Sequence, residues 1–529
     1  MRLLQRLGAG QGEAAKVGTR RMRPSKPCHR LKGHKKPHHP LAPPPTPATP
    51  YVPPAPQPVV LPALASPGDA KTLAMLAATR LSYGLRPGEL DRISHMGFEA
   101  WVTEQLAPAQ IDDSVADARL AEIRATQQTN AQLLDSKTIQ AEKRDLAHEL
   151  INATVVRAAL SKRQTAEVMT EFWNDHFNID ISKSLCLPLK FQDDQRNRAH
   201  ALGRFRDLLG NSAHSPAMLY YLDNRSNQAK GPNENYAREI MELHTLGVNG
   251  GYTEQDVKEV ARVFTGWTVD AVTGEFKFDA TRHDNGSKTV LGHTISPAGA
   301  AEGEQVLDIL ASHRSTASFI ARKLCRRLVS DSPSDALVSE VSAVFSASQG
   351  DIAAVVRAIV MSADFAASLG KKLRRPFDLA VAGVRALDAT LEISDLLARA
   401  IDGQCSAMGQ LLFRCQPPTG YPDTAPAWLT ASNLLARWAF AQALAGGRID
   451  GVKVDLASLI GAANTPEAIV TALNQALLNG SLPQASHQAI AAWLAGGQAP
   501  TLPLTAAVLA QRLPIAVGLM LACPEFQVK

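Results

Sequence analysis

Nine prolines crowd residues 43–58: Pro43, Pro44, Pro45, Pro47, Pro50, Pro53, Pro54, Pro56 and Pro58. Proline fixes φ and has no amide hydrogen, so neither helix nor sheet can run through such a stretch. An extended polyproline II spacer is what remains. Residues 1–40 hold 11 Lys or Arg and one acid, Glu13, for a net charge of +10. Residues 1–68 are therefore expected to be a disordered tail, basic and then proline-rich. The whole chain carries only +5, so the rest carries −5 and is mildly acidic. The tail alone could attract nucleic acid or an anionic surface. The body shows no motif that reads a nucleic-acid groove, which makes nucleic acid a minor reading.

From Asp69 the pattern turns helical and stays so. The chain is rich in Ala and Leu and poor in aromatics, at 5%, and Ala and Leu lose little on entering a helix. Pro87 opens one helix and Gly97 closes it. Further helices are expected over 98–106, 113–127 and 141–161. Over 164–177, Met169, Phe172, Trp173, His176 and Phe177 recur at helical spacing. Ser215-Pro216 reads as a cap, 232–246 as a helix closed by Gly247, and Thr253 with Asp256 as a capping box. Pro426 is expected in the first turn of a helix running through Ala445. Thr268, Val269, Phe276, Phe278, Thr289 and Val290, with turn residues between them, point to one small β-hairpin insertion. The fold class is thus mainly α: a multi-helix orthogonal bundle, one large domain over 69–529, with a C-terminal helical subdomain from about 450. Met361-Ser362-Ala363-Asp364-Phe365 and Leu521-Ala522-Cys523-Pro524-Glu525-Phe526 end two helices alike and hint at an old duplication.

Several function classes lose their basis. The six cysteines form no C-x-x-C pair, which argues against a zinc finger or a thioredoxin-like motif. No segment reaches the ~18 apolar residues of a membrane span. Arg20-Arg21 lacks the apolar stretch that an export signal needs, so no signal peptide is visible. There is no Walker loop, no strand-borne G-x-G-x-x-G and no G-x-S-x-G elbow.

The densest polar run extends from Asp223 to His244. On a helix, Asn235, Glu239 and Glu242 share one face, and Tyr236, Ile240 and Leu243 share a buried one. His244 lies on the flank between them. Two carboxylates three residues apart repel; if both are buried, one pKa should rise, which suits acid–base work. Asp223, Glu239, Glu242 and His244 are accordingly the candidate catalytic residues. Asn224, Asn233, Asn235, Arg238 and Lys288 are the candidate substrate contacts. The competing explanation is an ordinary ion network, with Arg238 pairing Glu234 and Glu242 at i,i+4 spacing. His176, His283 and Asp284 are candidate ligands for a divalent metal if the fold brings them together. The alternatives are a hydrogen-bonded core histidine at 176, which is the commoner case, and simple turn chemistry at His283-Asp284.

The chain also resembles a bacterial family catalogued as domain of unknown function 1800. The resemblance rests on Glu171-Phe172-Trp173-Asn174-Asp175-His176-Phe177 and on the run from Asn233-Glu234-Asn235-Tyr236 to His244-Thr245-Leu246-Gly247. It continues in Gly250-Gly251-Tyr252-Thr253, Phe264-Thr265-Gly266-Trp267 and Gly420-Tyr421-Pro422-Asp423-Thr424. The family pattern usually has His where this chain has Asn174 or Asp175. The resemblance implies no particular reaction. It does imply a periplasmic or envelope setting and, as a partner, an exported protein resembling phosphatases and sulfatases encoded nearby. Three readings stay open: a hydrolase-like or ligand-binding protein, a non-catalytic helical scaffold for an envelope partner, and attachment through the tail.

Overall fold

The structure, a computed structural model, describes residues 70–529. The tail expected over 1–68 lies outside the described residues. Among the described residues, 26 α-helices carry the fold and the strands form only two-stranded antiparallel sheets. The expectation of a mainly α chain holds.

Local rules account for many helix ends. Thr253 and Asp256 form a reciprocal capping box at the start of Glu254–Val263, and Ser215 caps Pro216–Tyr221 through the Met218 amide. Several boundaries differ from the sequence reading. The stretch 113–127 breaks into Ser114–Leu120 and a 3-10 turn, Arg124–Gln127. Pro426 sits in a separate 3-10 turn, Ala425–Trp428, and Thr430 caps the long helix Ala431–Ala445 beyond it.

The β insertion is a pair of hairpins. Trp267–Val269 pairs with Phe276–Phe278, and Lys288–Val290 pairs with His293–Ile295. The second turns tightly at Leu291 and Gly292, both at positive φ. Leucine seldom adopts that conformation, so Leu291-Gly292 carries little hairpin signal in the sequence. Its amide is held by the Asp256 carboxylate at 2.7 Å.

Helix 232–246 shows the most consequential departure. Glu234–Met241 is α-helical, but Glu242–Leu246 is a π turn. The wider turn adds a residue and rotates the side chains after it. His244 is therefore buried, at 1% exposure, and Leu243 is left partly exposed.

Two large apolar cores and two small ones lie among the described residues. One large core gathers residues from Leu73 to Phe365, including Trp173, Tyr236, Phe264 and Leu324. The other large core is built mainly from 377–526, with Val155 and Val168 joining it. Residues after 450, such as Val470 and Val517, share that second core with Phe440 and Leu444. The helix Gln164–His176 serves both, burying Phe172 and Trp173 in the first and Val168 in the second. Gly420 fits against this helix because it has no side chain. A Cβ there would stand 2.1 Å from the Asp175 carbonyl oxygen.

Candidate functional site

Where the two cores meet, the buried side chains are charged. Glu171 and Asp175 are one helical turn apart on Gln164–His176. The helix Arg314–Leu328 buries Ile320, Ala321 and Leu324 in the first core and carries Arg327 near the same stripe. Arg375 precedes the helix Pro376–Ala386, and Asp378 lies in its first turn.

These groups form a network. Arg327 contacts Glu171 at 2.7 Å and Asp378 at 3.2 Å. Arg375 meets Asp175 at 2.5 Å and Glu171 at 3.6 Å. Lys529 Nζ lies 2.7 Å from the second oxygen of Asp378. Asp423 approaches Arg327 and Lys372 at 3.7 and 3.5 Å. Burial alone would raise the Asp423 carboxyl, but the cations outweigh it and hold it at about 2. Glu171 goes the other way: burial pushes it up against the pull of Arg375 and Arg327.

Above this layer opens a cleft of about 390 Å³. Phe172, Phe319 and Leu243 give it apolar walls; Tyr421, Pro422 and Asp423 close one side. Lys323 and Arg326 project from Arg314–Leu328, and Asp175, His176 and Arg375 also line it. Lys323 Nζ donates to His176 Nδ1 at 2.9 Å. His176 Nε2 in turn donates to the His244 carbonyl oxygen at 2.9 Å. The imidazole is therefore neutral, with its proton on Nε2.

The electrostatics agree with that assignment. Burial, then the Lys323 charge, pushes His176 well below its ordinary value. The same two causes bring His244 down to about 3. Burial lowers the Lys323 amine to about 8; Asp175 and Asp423 oppose the shift and Arg326 reinforces it. The amine also lies 5.9 Å from the Phe172 ring centroid and 5.6 Å from that of Phe319. Such contacts favour the cation by about 0.5–2 kcal/mol, so burial must outweigh them.

The residues singled out from the sequence fall into separate places. Asp223, at φ 61°, is paired with Lys183 at 2.9 Å. Asn224 is buried and donates to the Phe264 and Trp267 carbonyls. Asn233 caps Glu234–Met241, and Asn235 donates to the Leu222 carbonyl. Arg238 pairs with Glu234 and Glu254 at the surface, not with Glu242. Glu242 accepts from the Tyr252 hydroxyl at 3.0 Å. Glu239 and Asn235 line an open groove of about 530 Å³ with Asp180, Lys183 and Tyr221. Burial, then the Glu242 charge, raises the Glu239 carboxyl. His244 points inward, its ring 5.2 Å from that of Phe177.

The metal candidates do not converge. Both ring nitrogens of His176 are taken, one by Lys323 and one by the His244 carbonyl. His283 faces the Thr265 carbonyl oxygen through Nδ1 and Glu302 through Nε2. Asp284 is held by Arg262 at 2.8 Å and depressed to about 2 by that contact. Lys288 is bound to Glu302 at 2.5 Å, not exposed to a ligand. Among the described residues, no three His, Cys, Asp or Glu side chains are grouped to hold a metal. No helix among them is long and apolar enough to cross a membrane.

Sequence reasoning did not single out Lys323, Arg326 or Arg375. One signal was available. Arg327 falls three residues after Leu324 on an apolar stripe, and a charge in that place calls for a buried partner.

Neither a curated protein nor a solved structure matches the chain. The sequence model described as "Protein of unknown function (DUF1800)" matches residues 76–528, nearly all of the described chain, and the protein belongs to that family.

Proposed function

We propose that the protein binds a small molecule in the cleft between its two cores and performs acid–base chemistry on it. The observation that carries this reading is the Lys323–His176 contact at 2.9 Å. Among the described residues, Lys323 forms no ion pair with a carboxylate, and its one hydrogen bond goes to a neutral imidazole. A lysine so placed exchanges its proton near neutral pH, where an acid or base is useful. His176 is the positioning residue: it accepts from the amine and is itself fixed by the His244 carbonyl. This puts the working region around His176 and His244, one side of the π turn, instead of around Glu239 and Asp223 on the other. Amine acylation with peptide mapping tests it. Lys323 should label half-maximally near pH 8, well below the ordinary lysine range. Titration together with the surface lysines would sink the reading.

A second reading has its own observation. Leu435 and Trp438 on Ala431–Ala445 are 62% and 44% exposed, and Ile515 and Leu519 on Ala506–Ala522 are 40% and 38% exposed. The two helices pack together, with Gly518 against Gln442. Large apolar side chains left outside on neighbouring helices suit a partner protein. A scaffold of this kind should lose its partner on Trp438→Ser and keep its melting temperature. Retention of the partner by that variant would remove the reading.

A further inference from the structure

Resting on the cleft reading, we infer that the ligand is an anion: a carboxylate or phosphate head group on an apolar body, clasped by Lys323 and Arg326. The two cations are three residues apart on Arg314–Leu328 and so are neighbours on one helix face. Both line the cleft. Several cations around them are paired with acids. Arg322, on the same helix, pairs with Asp335 at 2.8 Å. Arg327 has Glu171, Arg375 has Asp175, and Lys372 has Asp331 at 2.7 Å. Among the described residues, Lys323 and Arg326 have no carboxylate within ion-pair distance. The one hydrogen bond of Arg326 runs from Nε to the Asp331 carbonyl oxygen at 3.2 Å, which leaves its terminal nitrogens available.

Arg375 supplies a second, independent indication. It is 3% exposed, it lines the cleft, and its Nε lacks a hydrogen-bond partner. Arg80, Arg327 and Arg437 also keep an unpartnered Nε, but they do not line the cleft; at Arg375 the unused donor stands beside a space that an acceptor can enter. Two carboxylates, Asp175 and Asp423, also line the cleft and would repel an anion. Each is already answered, Asp175 by Arg375 and Asp423 by Arg327 and Lys372, which stand outside the lining. The surplus at the opening is therefore positive. The walls describe the rest of the ligand. Phe172, Phe319, Leu243 and Pro422 are apolar, and 390 Å³ falls within the range of small-molecule sites.

The probes are phenyl phosphate, benzoate and neutral benzyl alcohol, titrated calorimetrically into the full chain at low salt. One or both anions should saturate a single site, and their order identifies the head group. Binding should weaken as salt rises. Arg326→Gln should weaken it at least about tenfold, because a charge-assisted hydrogen bond is lost. Arg326→Lys should retain more binding than Arg326→Gln, and it serves if the amide variant folds poorly. A bound anion favours the charged amine, so acylation of Lys323 at pH 8 should slow. Equal binding of benzyl alcohol, no binding of either anion, or undiminished binding by Arg326→Gln would overturn the inference. The two proposals fail separately. A Lys323 that titrates near pH 8 with no anion bound removes only the anion. A Lys323 that titrates with bulk lysines removes the acid–base reading, whatever binds.

Discussion

Two buried charge clusters in this molecule are finished to different degrees. Around Glu302 everything is satisfied. Its carboxylate accepts from His283, from Lys288 and from the amides of Ala298 and Gly299. Glu302 and Lys288 are both inaccessible to solvent. The cluster ties the hairpin Lys288–Ile295 to the helix Ala300–Ser312 and offers nothing to a ligand. The layer between the cores is different. Glu171 Oε1, Asp175 Oδ2 and Arg375 Nε have charged neighbours but no hydrogen bond of proper geometry. A buried polar atom left so costs about 1–3 kcal/mol. Saturated charge reads as architecture, and unsaturated charge beside a cleft reads as a place where something binds.

The largest expected effect tests the saturated side. Glu302→Ala strands Lys288 and His283 in a dry interior. Removing one partner of a buried ion pair costs about 3–5 kcal/mol. Urea unfolding should show that loss, while acylation of Lys323 in the folded variant stays as it was. A cost below about 1 kcal/mol would mean that the Glu302 cluster is not the cement it looks like, and the contrast would break.

The next effect is smaller and separates the clusters by pH. His176 and His244 are held neutral by burial, His244 down to about 3. In the unfolded chain both take up protons near pH 6.5. Below that pH the unfolded state binds more protons, so stability falls as the solution is acidified. Each histidine contributes about 1.4 kcal/mol per pH unit to the slope. His244 has no hydrogen bond to either ring nitrogen, so His244→Leu should fold and flatten the slope between pH 6 and 4. Carboxylates titrate in the same window, so the difference between variant and parent is the informative quantity. An unchanged slope would show that His244 is not held neutral by burial. Lys323 acts with the same sign in a higher window. Its lowered value near 8 makes stability rise between about pH 8 and 10.5.

The contrast also separates what the sequence could and could not convey. Caps and stripes depend on residues three or four apart, so Thr253 with Asp256 and Met169 with Trp173 were legible. The π turn was not. Nothing local in Glu242–Leu246 announces it, and that single extra residue sends His244 inward and leaves Leu243 at the cleft. The Lys323–His176 contact spans 147 residues and Arg327–Glu171 spans 156. No period or motif links such positions; only the meeting of two cores does. Glu171, Asp175 and His176 were legible as one string within the family resemblance, but their partners on Arg314–Leu328 were not.

The smallest expected effect bears on the region that the sequence made most prominent. Glu239 is partly exposed in an open groove, and its carboxyl is raised by burial and by Glu242. Glu239→Gln removes a charge that both causes disfavour, so the change in stability should lie within about 0.5 kcal/mol and lean toward stabilisation. Affinity for the cleft probes should not move, because Glu239 does not line the cleft. The outcome to look for is the reverse. If Glu239→Gln abolishes ligand binding while Arg326→Gln spares it, the working site is the groove beside Lys183 and Asp223. The unsaturated layer between the cores would then be architecture as well, and degree of hydrogen-bond completion would be no guide to function here.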